Sequence, residues 1–333
     1  ETELGYARLV ASQVKKESLP PFDASAVAAL IQEGSRLAGD QVKLTTRCGE
    51  IVDLIREAAH WARAAGREPV SAEDVERALA ERDRRDKRMQ RDLLELIERG
   101  VLAFEPEGER VGQLYGIGLL AAAGEVFGRP IRVMASAYMG TGGVINIERE
   151  AELSGKLHSK GFLVLSGYLG WMFARTEPLI LTASLSFEQM YEEVEGDSAS
   201  VAELIGLLSA IGEIPLRQGI AVTGAISEKG FVLPVGGVTQ KVEGFYAACE
   251  RTGLTGEQGV ILPRRNVENL TLRREVRDAV EAGRFHVWAI DRVDEGWPVL
   301  AGREAGERQA DGSFPEGSVN RAVQDRLSRW AGE

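Results

Sequence analysis

A chain of 333 residues, 44% hydrophobic and 27% charged, holds enough material for about two domains, each with its own core. Its formal net charge of -11 at pH 7 excludes the broad basic face that general nucleic-acid or anionic-membrane binding requires. No run reaches the ~18 apolar residues of a membrane span.

From the N-terminus, apolar residues recur at helical spacing through Val27, Leu30, Ile31 and Leu37, then Ile51, Leu54, Ile55, Ala58, Ala59 and Ala62. Ser71 ahead of Ala72-Glu73-Asp74 offers a capping box, with Asp74 in place of glutamate, for a helix carrying Val75, Ala78 and Leu79. The charged run Glu81 to Arg91 reads as a solvated helix face leading out of this part. Residues 1–95 are therefore expected to form an all-helical domain.

Beyond Gly100, Gly, Val, Ile and Leu dominate short runs. Residues 114–120, 131–137, 143–147 and 179–185 are expected as strands, with Gly140-Thr141-Gly142-Gly143 as a turn. The longest apolar stretch, Gly116 to Ala123, fits a buried strand. Helices are expected over 151–174 and 198–211, strand and hairpin over 220–234, a helix through Lys241 to Glu250, and a buried strand over 259–262. A Gly- and charge-rich loop, 301–318, precedes an amphipathic helix, Val319 to Trp330. This mixture makes residues 100–333 an α+β (mixed α/β) domain.

Three short segments of that domain carry chemistry. In Glu195-Gly196-Asp197-Ser198-Ala199-Ser200, small residues flank a serine just before an apolar helical run. A serine there has free backbone N–H groups and a positive helix end beside it, and such donors hold the oxyanion of acyl transfer. The same residues also suit an ordinary helix cap. Lys241 stands in the first turns of the helix after Pro234-Val235-Gly236-Gly237. An ammonium at the positive end of a helix, among apolar residues, loses proton affinity and becomes a general base. A solvent-facing lysine fits the same pattern. Between them, Thr223 closes a strand and either orients the amine or merely fills the strand. His60 falls on a helix face, His158 in a turn between Gly155 and Gly161, and His286 in an apolar strand. None stands in a triad pattern, and together they suggest no metal site.

Taken in order, these segments resemble the protease domain of the Lon family, most closely its LonB-type branch. Ser198 and Lys241 are 43 residues apart, and Thr223 precedes the lysine by 18. The resemblance runs on through Val111-Gly112-Gln113-Leu114-Tyr115-Gly116, the segment Gly142 to Glu148, and Ser154 to Gly161, covering about residues 100 to 330. It implies a serine endopeptidase in which Ser198 is the nucleophile, Lys241 its base and Thr223 the partner of the lysine. The backbone N–H groups of Asp197 and Ser198 would be the oxyanion donors. Tyr138, Met139, Gly140, Thr141 and Gly142 would form a wall along which substrate lies as an added strand. The resemblance further implies a homo-oligomer, a hexameric ring around enclosed sites, acting on unfolded or unstructured polypeptides, with no nucleic-acid or membrane partner.

Residues 1–95 resemble the small lid subdomain of AAA+ ATPases. Arg47, in Leu44-Thr45-Thr46-Arg47, falls where that family places a nucleotide-sensing arginine, although Cys48-Gly49 departs from the pattern and Arg47 reads equally as a surface residue in an ion pair. A phosphate-cradling loop needs Gly-x-x-x-x-Gly-Lys before Ser or Thr, and Gly155-Lys156 runs into Leu157 instead. The expectation is a peptidase with no required cofactor or metal, ATP and Mg not binding this chain alone, akin to ATP-independent LonC-type enzymes. The alternatives are the protease half of an ATP-dependent Lon and a non-catalytic AAA+-like scaffold. No secretory leader pattern opens the chain, and the lack of an initiating Met suggests a piece of a longer polypeptide. Two widely separated cysteines, Cys48 and Cys249, suit a reducing cytoplasm.

Overall fold

A computed structural model describes residues 2–122, 125–175 and 178–332. The chain divides into two units, Glu1–Asp92 with Glu268–Leu272, and Leu93–Val267 with Arg273–Glu333.

The first unit is helical: α1 (Thr2–Glu17), α2 (Ala24–Ala38), α3 (Cys48–Ala64) and α4 (Ala72–Asp86). Its core is the periodic stripe of the sequence. Leu30, Ile51, Leu54, Ile55, Ala58, Ala59 and Ala62 are fully buried with Val70, Val75 and Ala78, while Val27, Ile31 and Leu37 only pack against its margin. At the start of α4 the Ser71 N–H donates to the Asp74 carboxylate at 3.0 Å, the reciprocal contact of a capping box. The charged run does not continue this helix. Lys87 leaves helical geometry, and α5 (Arg88–Glu98) starts afresh to bury Leu94 and Ile97.

The second unit contains β1 (Glu109–Val111), β2 (Gln113–Ala122), β3 (Glu125–Tyr138), β4 (Gly143–Asn146), α6 (Ile147–Glu150), α7 (Lys156–Phe173) and β5 (Thr182–Glu188). There follow α8 (Ser200–Gly212), β6 (Pro215–Arg217), β7 (Ile220–Val222), β8 (Ala225–Ile226), β9 (Val232–Leu233), α9 (Val238–Thr252) and β10 (Gly259–Pro263). Last come α10 (Arg274–Glu281), β11 (His286–Ile290), α11 (Trp297–Ala301) and α12 (Val319–Gly332). Seven strands form one mixed sheet in the order β11-β10-β7-β2-β3-β5-β4. β7 runs parallel to both neighbours, pairing Ala221 with Tyr115 and Val260. β2, β3 and β5 are successively antiparallel. This is the mixed α/β domain expected.

Several boundaries move for physical reasons. The strand expected over 179–185 is displaced to Thr182–Glu188, in register with β3 from Tyr138 to Arg132. The helix expected from 151 starts at Lys156, because the preceding residues extend alongside Val194 through a Ser154–Val194 bridge. The helix expected from Ser198 starts at Ser200. The expected 220–234 hairpin splits into β7, inside the main sheet, and the separate β8–β9 pair. In the Gly116–Ala123 run, burial ends at Ile117; Leu119 is exposed and Ala123 lies outside the described residues.

The sheet has a helix on each face. Leu114 and Val133 point to α8, meeting Gly206, while Tyr115, one residue on and so on the opposite face, meets Phe245 of α9. α8 is buried nearly all round, with Val201, Ala202, Leu204, Ile205, Leu207, Leu208 and Ile211 fully buried, because α7 and α12 cover what the sheet does not. On the other face, α9 approaches β3 so closely that a Cβ at Gly244 would collide with the Gly128 carbonyl. Two glycines therefore set how near Lys241 comes to the sheet. Gly244→Ala is expected to lower stability by roughly 1–3 kcal/mol, the usual range for overpacking, as read from the denaturant midpoint.

Candidate active site

α8 and α9 lie on opposite faces, yet their N-terminal ends meet where β7 stops. The strand is only three residues long, and Thr223 follows it directly. Its pairing with β2 and β10 ends at Val222, and the carboxyl end of such a strand is a usual place for a site.

The turn before α8 is stitched to this strand end. The Gly224 N–H donates to the Ser198 carbonyl at 2.8 Å, and the Val201 N–H donates to the Gly224 carbonyl at 3.2 Å. The Ser200 hydroxyl donates to the Asp197 carbonyl at 2.8 Å and accepts from the Ile226 N–H at 3.0 Å. Gly196, at φ +90, supplies the left-handed backbone that brings Asp197 and Ser198 round. The N–H groups of Asp197 and Ser198 have no protein acceptor among the described residues. They remain open to a ligand.

From the other layer, Lys241 reaches in from the first turn of α9, 2% exposed. Its Nζ donates to Ser198 Oγ at 2.8 Å and to Thr223 Oγ1 at 3.0 Å. The Thr223 hydroxyl in turn donates to the Ser198 carbonyl at 3.4 Å, so the group that orients the amine is itself tied to the serine. Burial pulls the lysine pKa from 10.5 down to about 8, with Asp197 opposing the shift. A useful fraction of the amine is therefore neutral near physiological pH.

Other expected residues stand apart from this cluster. Tyr138 ends β3 and Met139 follows it, both exposed. Gly140 and Gly142 fold onto Thr182, whose hydroxyl accepts from the Gly142 N–H at 3.0 Å. Thr141 is carried between them. No hydrogen bond joins Tyr138–Gly142 to the Ser198–Lys241 pair among the described residues. Arg47 precedes α3 with its side chain 76% exposed, in an ion pair with Glu50 at 3.4 Å.

His158 is not in a turn. It lies in the first turn of α7, 1% exposed, between Ser154 and Glu203. The flanking glycines, 155 and 161, read as turn signals in sequence but serve close packing: a Cβ at Gly161 would come within 3.1 Å of Asp197 Cβ. The role of Glu203 is invisible in sequence, since it falls inside the apolar run of α8 with no local sign of its partner. His286 is half-buried, its Nε2–H donating to the Gly256 carbonyl at 2.8 Å and its ring stacked on Trp288.

Residues 193–297 match the family described as "Lon protease (S16) C-terminal proteolytic domain", and residues 21–85 match "Archaeal LonB, AAA+ ATPase LID domain". The chain is 37% identical over 306 residues to the putative Lon protease homolog of Escherichia coli K12, covering 90% of this chain and 51% of that protein. The corresponding homolog of Haemophilus influenzae is 39% identical over 225 residues, 67% of this chain and 37% of that protein. The Archaeal Lon protease of Archaeoglobus fulgidus is 33% identical over 302 residues, 89% of this chain and 45% of that protein. The chain thus spans about half the length, or less, of these curated relatives.

A buried lysine leaves a thermodynamic trace. Its folded pKa lies below its unfolded one, so the unfolded chain binds more protons between about pH 8 and 10.5, and stability rises with pH across that window. Below it, the protonated amine costs the fold roughly 3 kcal/mol. Lys241→Met should therefore be more stable than the parent at pH 7, and this advantage should shrink by pH 10, as measured by denaturant midpoints at both pH values.

Proposed function

Because this chain belongs to the Lon protease family, we propose that its second unit hydrolyses peptide bonds with a Ser198–Lys241 dyad. The observation that carries the reading is the 2.8 Å contact between the serine hydroxyl and a buried amine whose pKa is drawn down to about 8. Few arrangements other than nucleophile activation keep such a costly group beside a hydroxyl.

In this mechanism Ser198 Oγ attacks the scissile carbonyl carbon as its proton passes to neutral Lys241 Nζ. The N–H groups of Asp197 and Ser198 receive the oxyanion. Lys241 then returns the proton to the leaving amine, the C–N bond breaks, and an ester to Ser198 remains. Water attacks the ester, giving up its proton to Lys241, and the carboxylic product leaves with Ser198 restored. Thr223 keeps the amine aimed at Oγ throughout. The stretch from Tyr138, at the end of β3, to Gly142 would take the substrate as an added strand, main-chain hydrogen bonds reading an extended chain independently of sequence.

Unfolded or unstructured polypeptides fit this mode, since only an extended segment can add to a strand. A closed ring of six copies would keep such a site from folded neighbours. The free thiols Cys48 and Cys249 agree with a cytoplasmic location. Peptide cleavage by the dyad needs no nucleotide, and we place the protein among Lon-like enzymes that act without ATP. A second reading, in which the dyad serves an ATP-driven machine, draws support from the AAA+ lid match over residues 21–85 and from relatives about twice as long.

Ser198→Ala and Lys241→Met should each lower turnover of a fluorogenic peptide by at least ~1,000-fold with the fold unchanged, and Thr223→Val by ~10- to 100-fold. For the parent, kcat/KM should rise with pH and level off above about 8, following deprotonation of Lys241. Retained cleavage in either dyad variant would refute the assignment. Casein should be cut by the full-length parent with no nucleotide present; strict dependence on ATP would favour the second reading.

A further inference from the structure

A buried polar chain beside the dyad takes no part in the chemistry above. Ser154 Oγ lies 2.9 Å from His158 Nδ1, and His158 Nε2 lies 3.1 Å from Glu203 Oε1. His158 and Glu203 are each 1% exposed. A serine, an imidazole and a carboxylate in series look like a second nucleophile, but the surroundings oppose it. The Glu195 carboxylate is packed onto Gly155, at the N-terminal end of α7, where an oxyanion would need donors. Ser154 Oγ is also shared with Ser159 Oγ at 2.9 Å.

What the chain does join is the support of the nucleophile. Upstream of Ser198, the turn is stitched to the residues before α7: the Gly155 N–H donates to the Val194 carbonyl at 2.9 Å, and the Val194 N–H donates to the Leu153 carbonyl at 2.8 Å. In the middle, Asp197 sits against Gly161 of α7. Downstream, Glu203 belongs to the first turns of α8, its N–H donating at 2.9 Å to the carbonyl of Ala199, the residue after Ser198. His158 ties that part of α8 back to α7. The segment 194–203 is thus held on α7 at both ends, with Ser198 between.

Resting on the dyad reading, we propose that His158 and Glu203 are positioning residues whose buried pair fixes the start of α8, so that Ser198 Oγ stays in reach of Lys241. Adhesion alone does not explain the pair, because apolar side chains of similar volume join two helices at least as firmly as a desolvated ion pair. What a hydrogen-bonded pair adds is direction. Glu203 can meet the imidazole along few lines, whereas leucine could slide along α7. The imidazole suits the task in either protonation state: neutral, it donates from Nε2 and accepts at Nδ1 from the Ser154 hydroxyl; charged, it donates at both ends. Burial pulls its pKa down, but Glu203, with Glu148 and Glu195 adding their charges, outweighs this and leaves it above its ordinary value.

Glu203→Gln preserves an acceptor for the imidazole, whereas Glu203→Ala removes it. At a temperature well below its melting point, Glu203→Ala should lose ~10- to 100-fold in kcat and in the rate at which a fluorophosphonate labels Ser198, with KM little changed, as expected when a reacting group is misplaced. Glu203→Gln should return to within about threefold of the parent. The pH at which activity levels off should stay the same in both, since the lysine is untouched. Loss of thermal stability in Glu203→Ala with parental kcat and labelling rate would overturn the proposal. So would labelling of Ser154 in the Ser198→Ala protein, which would make the chain a second nucleophile. If Glu203→Ala fails to fold, His158→Gln decides: slower labelling supports the tie, and an unchanged rate overturns it. Peptidase activity surviving in Ser198→Ala is the separate result that removes the dyad itself, and this inference with it.

Discussion

A primary amine held out of water, 2.8 Å from a serine hydroxyl, sets the terms for the rest of the second unit. An ammonium there would be a donor with nothing to give the reaction; only the neutral amine can take the serine's proton. Desolvation supplies the neutrality, and desolvation requires closely packed walls. The fold meets this by placing the site inside the molecule but at the end of a very short strand. Two helices on opposite faces of a sheet are normally kept apart by it. Here β7 stops after three residues, and Thr223 is the first residue past the edge. Ser198 comes from one layer and Lys241 from the other.

Such a site is destabilising by itself, and the surrounding packing offsets it. α8 is buried over nearly its whole surface, and α9 rests on β3 with backbone nearly touching backbone at Gly128 and Gly244. These contacts leave little freedom for a shift of either helix. They also mean that changes distant from the dyad act on it through the helices. The pair of His158 and Glu203 extends the same logic to the turn that presents Ser198. A core that was merely apolar would hold the layers together without settling the angle of one hydroxyl.

Much of this was legible in the amino-acid order, and the exceptions have identifiable causes. The helical stripe in the first unit is periodic over many turns, so Leu30, Ile51, Leu54 and Ile55 announce their burial. Ser71 and Asp74 declare the start of α4 because a capping box is local chemistry. That Ser198, Thr223 and Lys241 come together was legible because three segments keep their order and spacing, a signal that no single one carries. Strands β1 and β6, three residues each, have no room for alternation to show. β5 slips by three residues because its register comes from β3, a partner distant in sequence. His158 was misplaced because glycines that allow tight packing look the same as glycines that make turns. Its link to Glu203 crosses 45 residues, and no local pattern reports such a contact.

The charge state of Lys241 is the quantity on which the account stands, and it can be observed directly. With eight lysines in the chain, labelling them with 13C at Cε gives a resolvable set of resonances, and Lys241→Arg identifies the one of interest. Following those signals from pH 6 to pH 12 should show the Lys241 resonance titrating near 8 in the folded protein. A Lys241 resonance that titrates at the ordinary value of 10.5 would mean the amine is charged at neutral pH, and no proton could pass to it from Ser198.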